Sequence, residues 1–243
     1  MDASAAPDSA ATPIRRSRSA RAAYTIVAAA AVLLAARPFY AAQRLQIFYS
    51  SLRGDPHLPA TDWSAPLDDV FIHFDFARQA ARGSPFEWSP GNGYSSGGTS
   101  LLYPLVLAPG FLLGFRGEQI MRFAALVACT SVFATLLASR RLFRRLPAWT
   151  EYLAIPALLG IGALDWSLWS GMEVAFFLSV WALALVAWDD LMHRMEASPG
   201  GGLLAPAGAL GLALVAFLCT LFSTRRAKQI SAICAAISPP NPP

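Results

Sequence analysis

Five long apolar runs, separated by short polar segments, constrain this chain more than any other feature of its sequence. The runs cover residues 22–42, 119–138, 149–164, 172–188 and 203–222. A helix needs about 20 apolar residues to cross the hydrocarbon core of a bilayer. Of the 243 residues, 55% are hydrophobic and only 14% are charged, which is too apolar for a single soluble core. The pattern predicts an all-α, polytopic membrane protein with about five transmembrane helices.

Basic residues beside the apolar runs predict how the chain is oriented. Residues 1–21 form a leader rich in Ala, Ser and Arg, which predicts disorder, and the second run ends in RRLFRR at 140–145. Cytoplasmic segments carry an excess of Lys and Arg. We therefore expect a multi-pass protein of the inner (plasma) membrane with a cytoplasmic N-terminus. A cleaved signal peptide is the alternative interpretation of the first run.

The net charge of +4 is concentrated in these clusters, without the basic and aromatic stripe of a nucleic-acid surface. The lipid bilayer is thus the predicted partner, and no nucleic acid is expected. The three cysteines lie far apart in the sequence. They show neither metal-ligand spacing nor a disulfide framework.

The polar segment 43–118 is predicted to be the first exoplasmic loop. Within it, the apolar stretch 101–115 is too short to span a bilayer and contains Pro104 and Pro109. If this stretch crossed the membrane, RRLFRR would lie on the outer side, against the distribution of positive charge. We therefore expect an interfacial or re-entrant helix there, the second of two interfacial helices in this loop.

The first interfacial helix is predicted to begin near Ser64 and to end at Gly83. Ser64 can cap the helix, Pro66 suits its first turn, and Asp68 and Asp69 suit the positive end of the helix dipole. Stabilisation of the helix dipole is one explanation for these two acids, and chemistry with a ligand is the other. The apolar face expected to enter the acyl boundary consists of Val70, Phe74, Ala77 and Ala81. His73 is interpreted as a surface histidine.

Two blocks of this sequence resemble bacterial GT-C membrane glycosyltransferases. The first resembles the family's first exoplasmic loop, with its Asp-Asp, aromatic-Ile, Ala-Arg, Gly, aromatic, Pro-Gly and Thr-Ser elements. The matching positions are Asp68, Asp69, Phe71, Ile72, Ala77, Arg78, Gly83, Phe86, Pro90, Gly91, Thr99 and Ser100. The second block is SGME at 170–173, at the exoplasmic start of a span. The family often has Arg where this chain has Asp75, and Pro where it has Leu101.

The resemblance implies a mannosyl- or arabinosyltransferase-like enzyme that moves a sugar from a polyprenyl-phosphate donor to an envelope glycan or protein acceptor. It implies that Asp68 or Asp69 acts as general base or helps to hold a divalent metal ion; no other cofactor is implied. Arg78 is a candidate for binding the departing phosphate, with a solvated arginine as the alternative. Glu173 is a candidate for substrate binding, because an ionisable group at the edge of an apolar span is costly. A glutamate that simply reaches water is its alternative.

The resemblance covers residues 22–225 and so corresponds to the N-terminal portion of such enzymes, which usually continue for several more spans. The Pro-rich segment 226–243 is typical of a disordered, frameshifted or truncated terminus. A non-catalytic membrane fragment or scaffold is therefore an alternative function. A transporter subunit is a weaker alternative, because the apolar runs hold few charged residues.

Overall fold

The computed structural model describes residues 17–52, 65–95 and 97–197, together with positions 208, 210 and 211. Within these ranges the chain is helical, with no β-strand beyond a single bridge between Glu87 and Tyr94. The helices are α1 (Arg18–Leu52), α2 (Asp69–Ala81), α3 (Tyr103–Leu112), α4 (Ile120–Leu142), α5 (Thr150–Leu159), α6 (Gly162–Trp169) and α7 (Val174–Ala197). Short 3-10 turns at Gly117–Gln119 and Phe143–Arg145 flank α4. The all-α prediction is confirmed for this part of the chain.

Among the described residues, three helices are long and apolar enough to cross a membrane: Arg18–Ala41, Ile120–Arg145 and Val174–Met195. A bent pair, α5 and α6, gives a fourth if it is counted as one span. The described part of the chain thus has three or four candidate spans, whereas the sequence predicted about five over the whole chain. The predicted span 203–222, apart from three single positions, lies outside the described residues, as do segment 226–243 and leader residues 1–16.

The predicted span 149–164 is divided between two helices, because the chain bends by 75° between α5 and α6. The N–H of Gly160 still donates to the carbonyl of Pro156, but Ile161 adopts an extended conformation. A Cβ atom at Gly160 would lie 2.5 Å from that carbonyl oxygen, so only glycine fits the break. Residues 165–169, which lie between the predicted spans 149–164 and 172–188, are helical and complete α6.

A stripe of residues four apart buries one face of α1 against the other helices. It consists of Tyr24, Ala28, Val32, Ala36 and Tyr40. The small side chains of Ala28 and Ala36 in this stripe allow close helix packing, as in membrane helix pairs. The opposite side exposes large apolar side chains, including Ile26 and Leu34, each 68% exposed. An apolar surface of this kind is costly in water and suits a lipid environment, which indicates a membrane protein.

Hydrogen bonds and ion pairs define the directions of the helices. The Tyr24 hydroxyl donates to the carbonyl of Leu136 near the end of α4, so α1 runs antiparallel to α4. Arg144, just after α4, pairs with Asp189 near the end of α7 at 2.9 Å, so α4 and α7 run parallel. We call the end that carries Arg140–Arg145 the arginine end. The opposite end, formed by α2, α3 and residues 170–173, is the loop end.

Segments predicted to share one side of the membrane lie at the same end of this bundle. The start of α1 and RRLFRR are both at the arginine end, whereas α2 and SGME are both at the loop end. The arginines are also structural. Their ion pairs, besides the one already given, are Arg140 with Glu151, Arg141 with Asp190 and Arg144 with Asp190.

The apolar face of α2 packs against protein, which corrects the prediction that it enters the acyl boundary. Val70, Phe74 and Ala77 are buried in the core that α1, α3 and α4 also form. Gly83 ends the helix as predicted: its φ is +89°, and the N–H of Ser84 bonds back to the carbonyl of Gln79. Ser64 lies outside the described residues. At ten residues, α3 is too short to span a bilayer.

Candidate functional site

The two predicted catalytic acids lie at the exposed start of α2. Asp68 is the N-cap residue, and its Oδ1 accepts a hydrogen bond from the N–H of Asp69 at 3.0 Å. Asp68 therefore caps α2, which begins later in the chain than the predicted start near Ser64. Both carboxylates are nevertheless exposed, so a molecule in solution or at a membrane surface can reach them.

One turn farther along α2, His73 meets Glu173. The Nε2 atom of His73 lies 3.0 Å from Oε2 of Glu173 and 3.1 Å from the hydroxyl of Thr99. His73 is fully buried, which corrects its interpretation as a surface histidine. Residues from α2, from the following loop and from the start of α7 thus converge at a single imidazole.

Gly171 allows the SGME segment to approach α2. Its φ of +91° suits only glycine, and a Cβ atom there would lie 2.9 Å from Sδ of Met121 and 3.0 Å from Cγ1 of Val70. Because Val70 follows Asp69 directly, this contact also brings the acidic start of α2 close to SGME. The turn places Glu173 one residue before α7.

Burial and His73 act on the Glu173 carboxyl in opposite directions. Burial raises the pKa of Glu173, but the imidazole of His73 at 3.0 Å, together with a backbone hydrogen bond, outweighs burial and leaves the pKa below its ordinary value of 4.5. Glu173 is therefore ionised at neutral pH. An ionised carboxylate accepts strong hydrogen bonds from hydroxyl groups.

Arg78, the predicted phosphate-binding residue, lies on another side of α2. Its Nη2 atom pairs with Oδ1 of Asp75 at 2.8 Å, and both side chains are about half-exposed. Asp75 also accepts a hydrogen bond from Nε1 of Trp88 at 3.2 Å. The structure thus brings Glu173 close to α2, whereas the charge of Arg78 is shared with a neighbouring acid.

Over the residues that the structure covers, no group of three or more His, Cys, Asp or Glu side chains has the arrangement of a metal site. The arrangement offers exposed carboxylates at Asp68 and Asp69 and one carboxylate–imidazole pair, of which the imidazole is buried and the carboxylate is partly exposed. Exposed carboxylates can accept a proton from a hydroxyl group, and a fixed carboxylate can orient one.

His73 and Tyr103 are the site residues that the sequence interpretation missed. His73 follows Val70 by three residues and precedes Ala77 by four, which is the spacing of the face that was predicted to be apolar. A polar residue at such a position signals a buried partner. Tyr103 carries no comparable signal, because aromatic residues are common in apolar helices.

Comparisons with protein-family models, with curated proteins and with solved structures give no match to this chain.

Proposed function

We propose that this chain is a membrane glycosyltransferase that moves a sugar from a polyprenyl-phosphate-linked donor to an acceptor hydroxyl at its loop end. One observation carries the proposal. The two sequence blocks that share the GT-C resemblance meet in space, where Glu173 of SGME lies 3.0 Å from His73 of the first block. Segments far apart in sequence that serve one site must converge in this way.

The exposed acids fit the chemistry of the transfer. The acceptor oxygen forms a bond to the sugar carbon as the lipid phosphate leaves, and a carboxylate accepts the hydroxyl proton. Asp68 and Asp69 are the candidates for this base. Arg78 is the candidate that meets the negative charge of the departing phosphate, with a guanidinium that stays half-exposed beside Asp75.

The proposed orientation follows the distribution of charge. The arginine end faces the cytoplasm and the loop end faces the exoplasmic side of the inner membrane, with α2 and α3 at the interface. The acceptor, an envelope glycan or protein, approaches from water, while the donor's lipid chain stays in the bilayer.

The positions of charged residues favour an enzyme over a transporter subunit. In the three long candidate spans, Asp, Glu, Lys and Arg residues lie toward the helix ends, as with Arg37, Arg122 and Asp189. Transporters place such groups near the middle of the bilayer, where their substrates bind. The charged contacts of the described residues lie instead at the two ends of the bundle, with ion pairs at the arginine end and the His73–Glu173 contact at the loop end.

Transfer assays in membranes test the proposal. Membranes that contain the full chain are given radiolabelled mannose or arabinose linked to polyprenyl phosphate, and label in the envelope acceptor is counted. If one of the two acids is the base, Asp68→Asn or Asp69→Asn lowers the rate by about 100-fold or more. No transfer by the native chain from either donor would favour a non-catalytic scaffold.

Glu87→Gln is the matched control. Like the aspartate variants, it converts a carboxylate to an amide at the loop end. Glu87, however, lies in a β-bridge with Tyr94 and does not contact His73. The transfer rate of this variant should equal that of the native chain. An equal loss in this variant would mean that acidic charge in general, rather than the start of α2, supports transfer.

A further inference from the structure

The two ring nitrogens of His73 have different surroundings. Nε2 shares a hydrogen bond with the hydroxyl of Thr99 and lies 3.0 Å from Oε2 of Glu173, a contact without hydrogen-bond geometry. Nδ1 has no hydrogen-bond partner among the described residues. A buried N–H group needs an acceptor. We therefore assign the proton of the neutral ring to Nε2, where the hydroxyl of Thr99 can accept it and the carboxylate of Glu173 lies close by.

Glu173 is the member of this pair that reaches the surface. Its side chain is 18% exposed, whereas that of His73 is 0% exposed. The carbonyl of Glu173 accepts the N–H of Phe177 at 2.8 Å, which fixes its backbone at the start of α7. A ligand at the loop end can thus touch Glu173 but not His73.

We infer that Glu173 binds a hydroxyl group of the donor sugar, and that His73 is the positioning residue that holds its carboxylate in place. The inference rests on the proposed glycosyl transfer. A carboxylate has about four lone-pair sites, so the contact between Oε2 and His73 leaves acceptor capacity for a ligand. Orientation by a buried neighbour reduces the entropy that the carboxylate loses when a sugar binds.

The environment of Glu173 suits binding better than proton transfer. Its contact with His73 keeps the pKa of the carboxyl below its ordinary value despite burial, and a carboxylate of low pKa is a weak base. Sugar binding and proton transfer are therefore assigned to different residues. Glu173 orients the sugar, and the proton of the acceptor passes to Asp68 or Asp69.

Kinetics with the full chain in membranes test this division. The probe is whichever of polyprenyl-phosphate mannose or arabinose the native chain transfers. Glu173→Gln should raise the KM for this donor by about 10- to 100-fold, the value of one hydrogen bond to a charged group. The kcat at saturating donor should stay within about threefold of the native value, because binding in the ground state is what is lost.

Variants of His73 distinguish positioning from a merely structural role. His73→Phe keeps an aromatic ring but loses Nε2, so it should raise the donor KM as Glu173→Gln does. His73→Gln places an amide N–H within reach of the same carboxylate and should restore most of the native KM. The double variant with His73→Phe and Glu173→Gln should be no worse than either single variant, because the two residues act as one unit.

Nitrogen-15 NMR of histidine provides a measurement that needs no activity. The chain has three histidines, and the signals absent from His73→Gln identify His73. Glu173→Gln should shift the Nε2 signal of His73. This measurement does not use His73→Phe, so it remains valid even if that variant does not fold. An unchanged signal would overturn the pairing.

Three other outcomes also overturn the inference. A loss of kcat at unchanged donor KM in Glu173→Gln would place Glu173 in the reaction step. Effects of the two single variants that multiply in the double variant would show that His73 acts independently. Absence of transfer by the native chain, with the NMR shift present, would remove the proposed function and the sugar as ligand while leaving the pairing intact.

Discussion

The hydroxyl of Tyr103 donates a hydrogen bond of 2.9 Å to the backbone carbonyl of Gly171. This bond joins α3 to the turn that precedes Glu173. Burial, together with the negative charge of Glu173, raises the pKa of Tyr103, so its hydroxyl remains a donor at neutral pH. The same ring lies edge-on to His73, with 5.3 Å between the ring centroids. Tyr103 therefore supports both members of the His73–Glu173 pair.

Replacing Tyr103 with Phe should destabilise the protein while keeping the contact between the two rings. The buried carbonyl of Gly171 loses its donor, which costs about 1–3 kcal/mol of unfolding free energy. Thermal unfolding in detergent micelles measures the change. Tyr94→Phe is the control, because Tyr94 is 75% exposed and its hydroxyl should contribute less than about 0.5 kcal/mol. Equal stability of the two variants would contradict a role for the Gly171 bond.

Gly171→Ala should be strongly destabilising, because two penalties coincide at this residue. The backbone φ of +91° disfavours any side chain, and the new methyl group would lie 2.9 Å from Sδ of Met121. We expect a loss of about 1–3 kcal/mol and a displaced SGME turn. Gly162→Ala is the matched control, because no atom lies within 4 Å of its added Cβ. This control lies at the start of α6 and should be neutral or slightly stabilising.

The sequence predicted the helices well because apolar runs and helix-ending residues act locally. The spans at 22–42, 119–138 and 172–188 correspond to α1, α4 and α7, and Gly83 ends α2 as expected. The break at Gly160 was missed, because hydropathy remains high on both sides of it. Whether a glycine bends an apolar helix depends on backbone contacts that composition does not reveal.

The site was predicted only in part, because helical periodicity does not show what a helix face meets. The spacing of Val70, Phe74 and Ala77 predicted an apolar face but could not distinguish lipid from protein. Because that face was expected to contact lipid, the sequence interpretation placed His73 at the surface rather than in a protein core. The residues that surround His73, Thr99 and Glu173, come from segments far away in sequence, and no local pattern predicts their contact.

The separation of the arginine and loop ends predicts different chemical accessibility in intact cells. In a variant whose three cysteines are replaced, Asn92→Cys should react with a membrane-impermeant maleimide, because it lies on the exposed segment between Glu87 and Tyr94. Ala148→Cys, exposed beside the arginine end, should react only after the inner membrane is permeabilised. The reverse pattern would invert the proposed orientation. Labelling of both positions in intact cells would contradict a membrane between the two ends.

The stability that Glu173 contributes should depend on pH with a definite sign. Its pKa in the folded protein lies below the ordinary value of 4.5, so folding favours the ionised form. The contribution is therefore complete above about pH 4.5 and decreases as the pH falls through the folded pKa. The difference in unfolding free energy between the native chain and Glu173→Gln should be constant from about pH 7 to 5 and should shrink below that range.

Thermal unfolding in detergent across this pH range measures that difference directly. Glu87→Gln serves again as the control, because it removes a carboxylate at the same end of the bundle without touching His73. Comparison of the two variants separates the His73 contact from the general effect of acidic charge. If the advantage of the native chain over Glu173→Gln grew as the pH fell, the carboxyl would be favoured in its protonated form. In that case Glu173 could not be the ionised acceptor that holds a sugar hydroxyl.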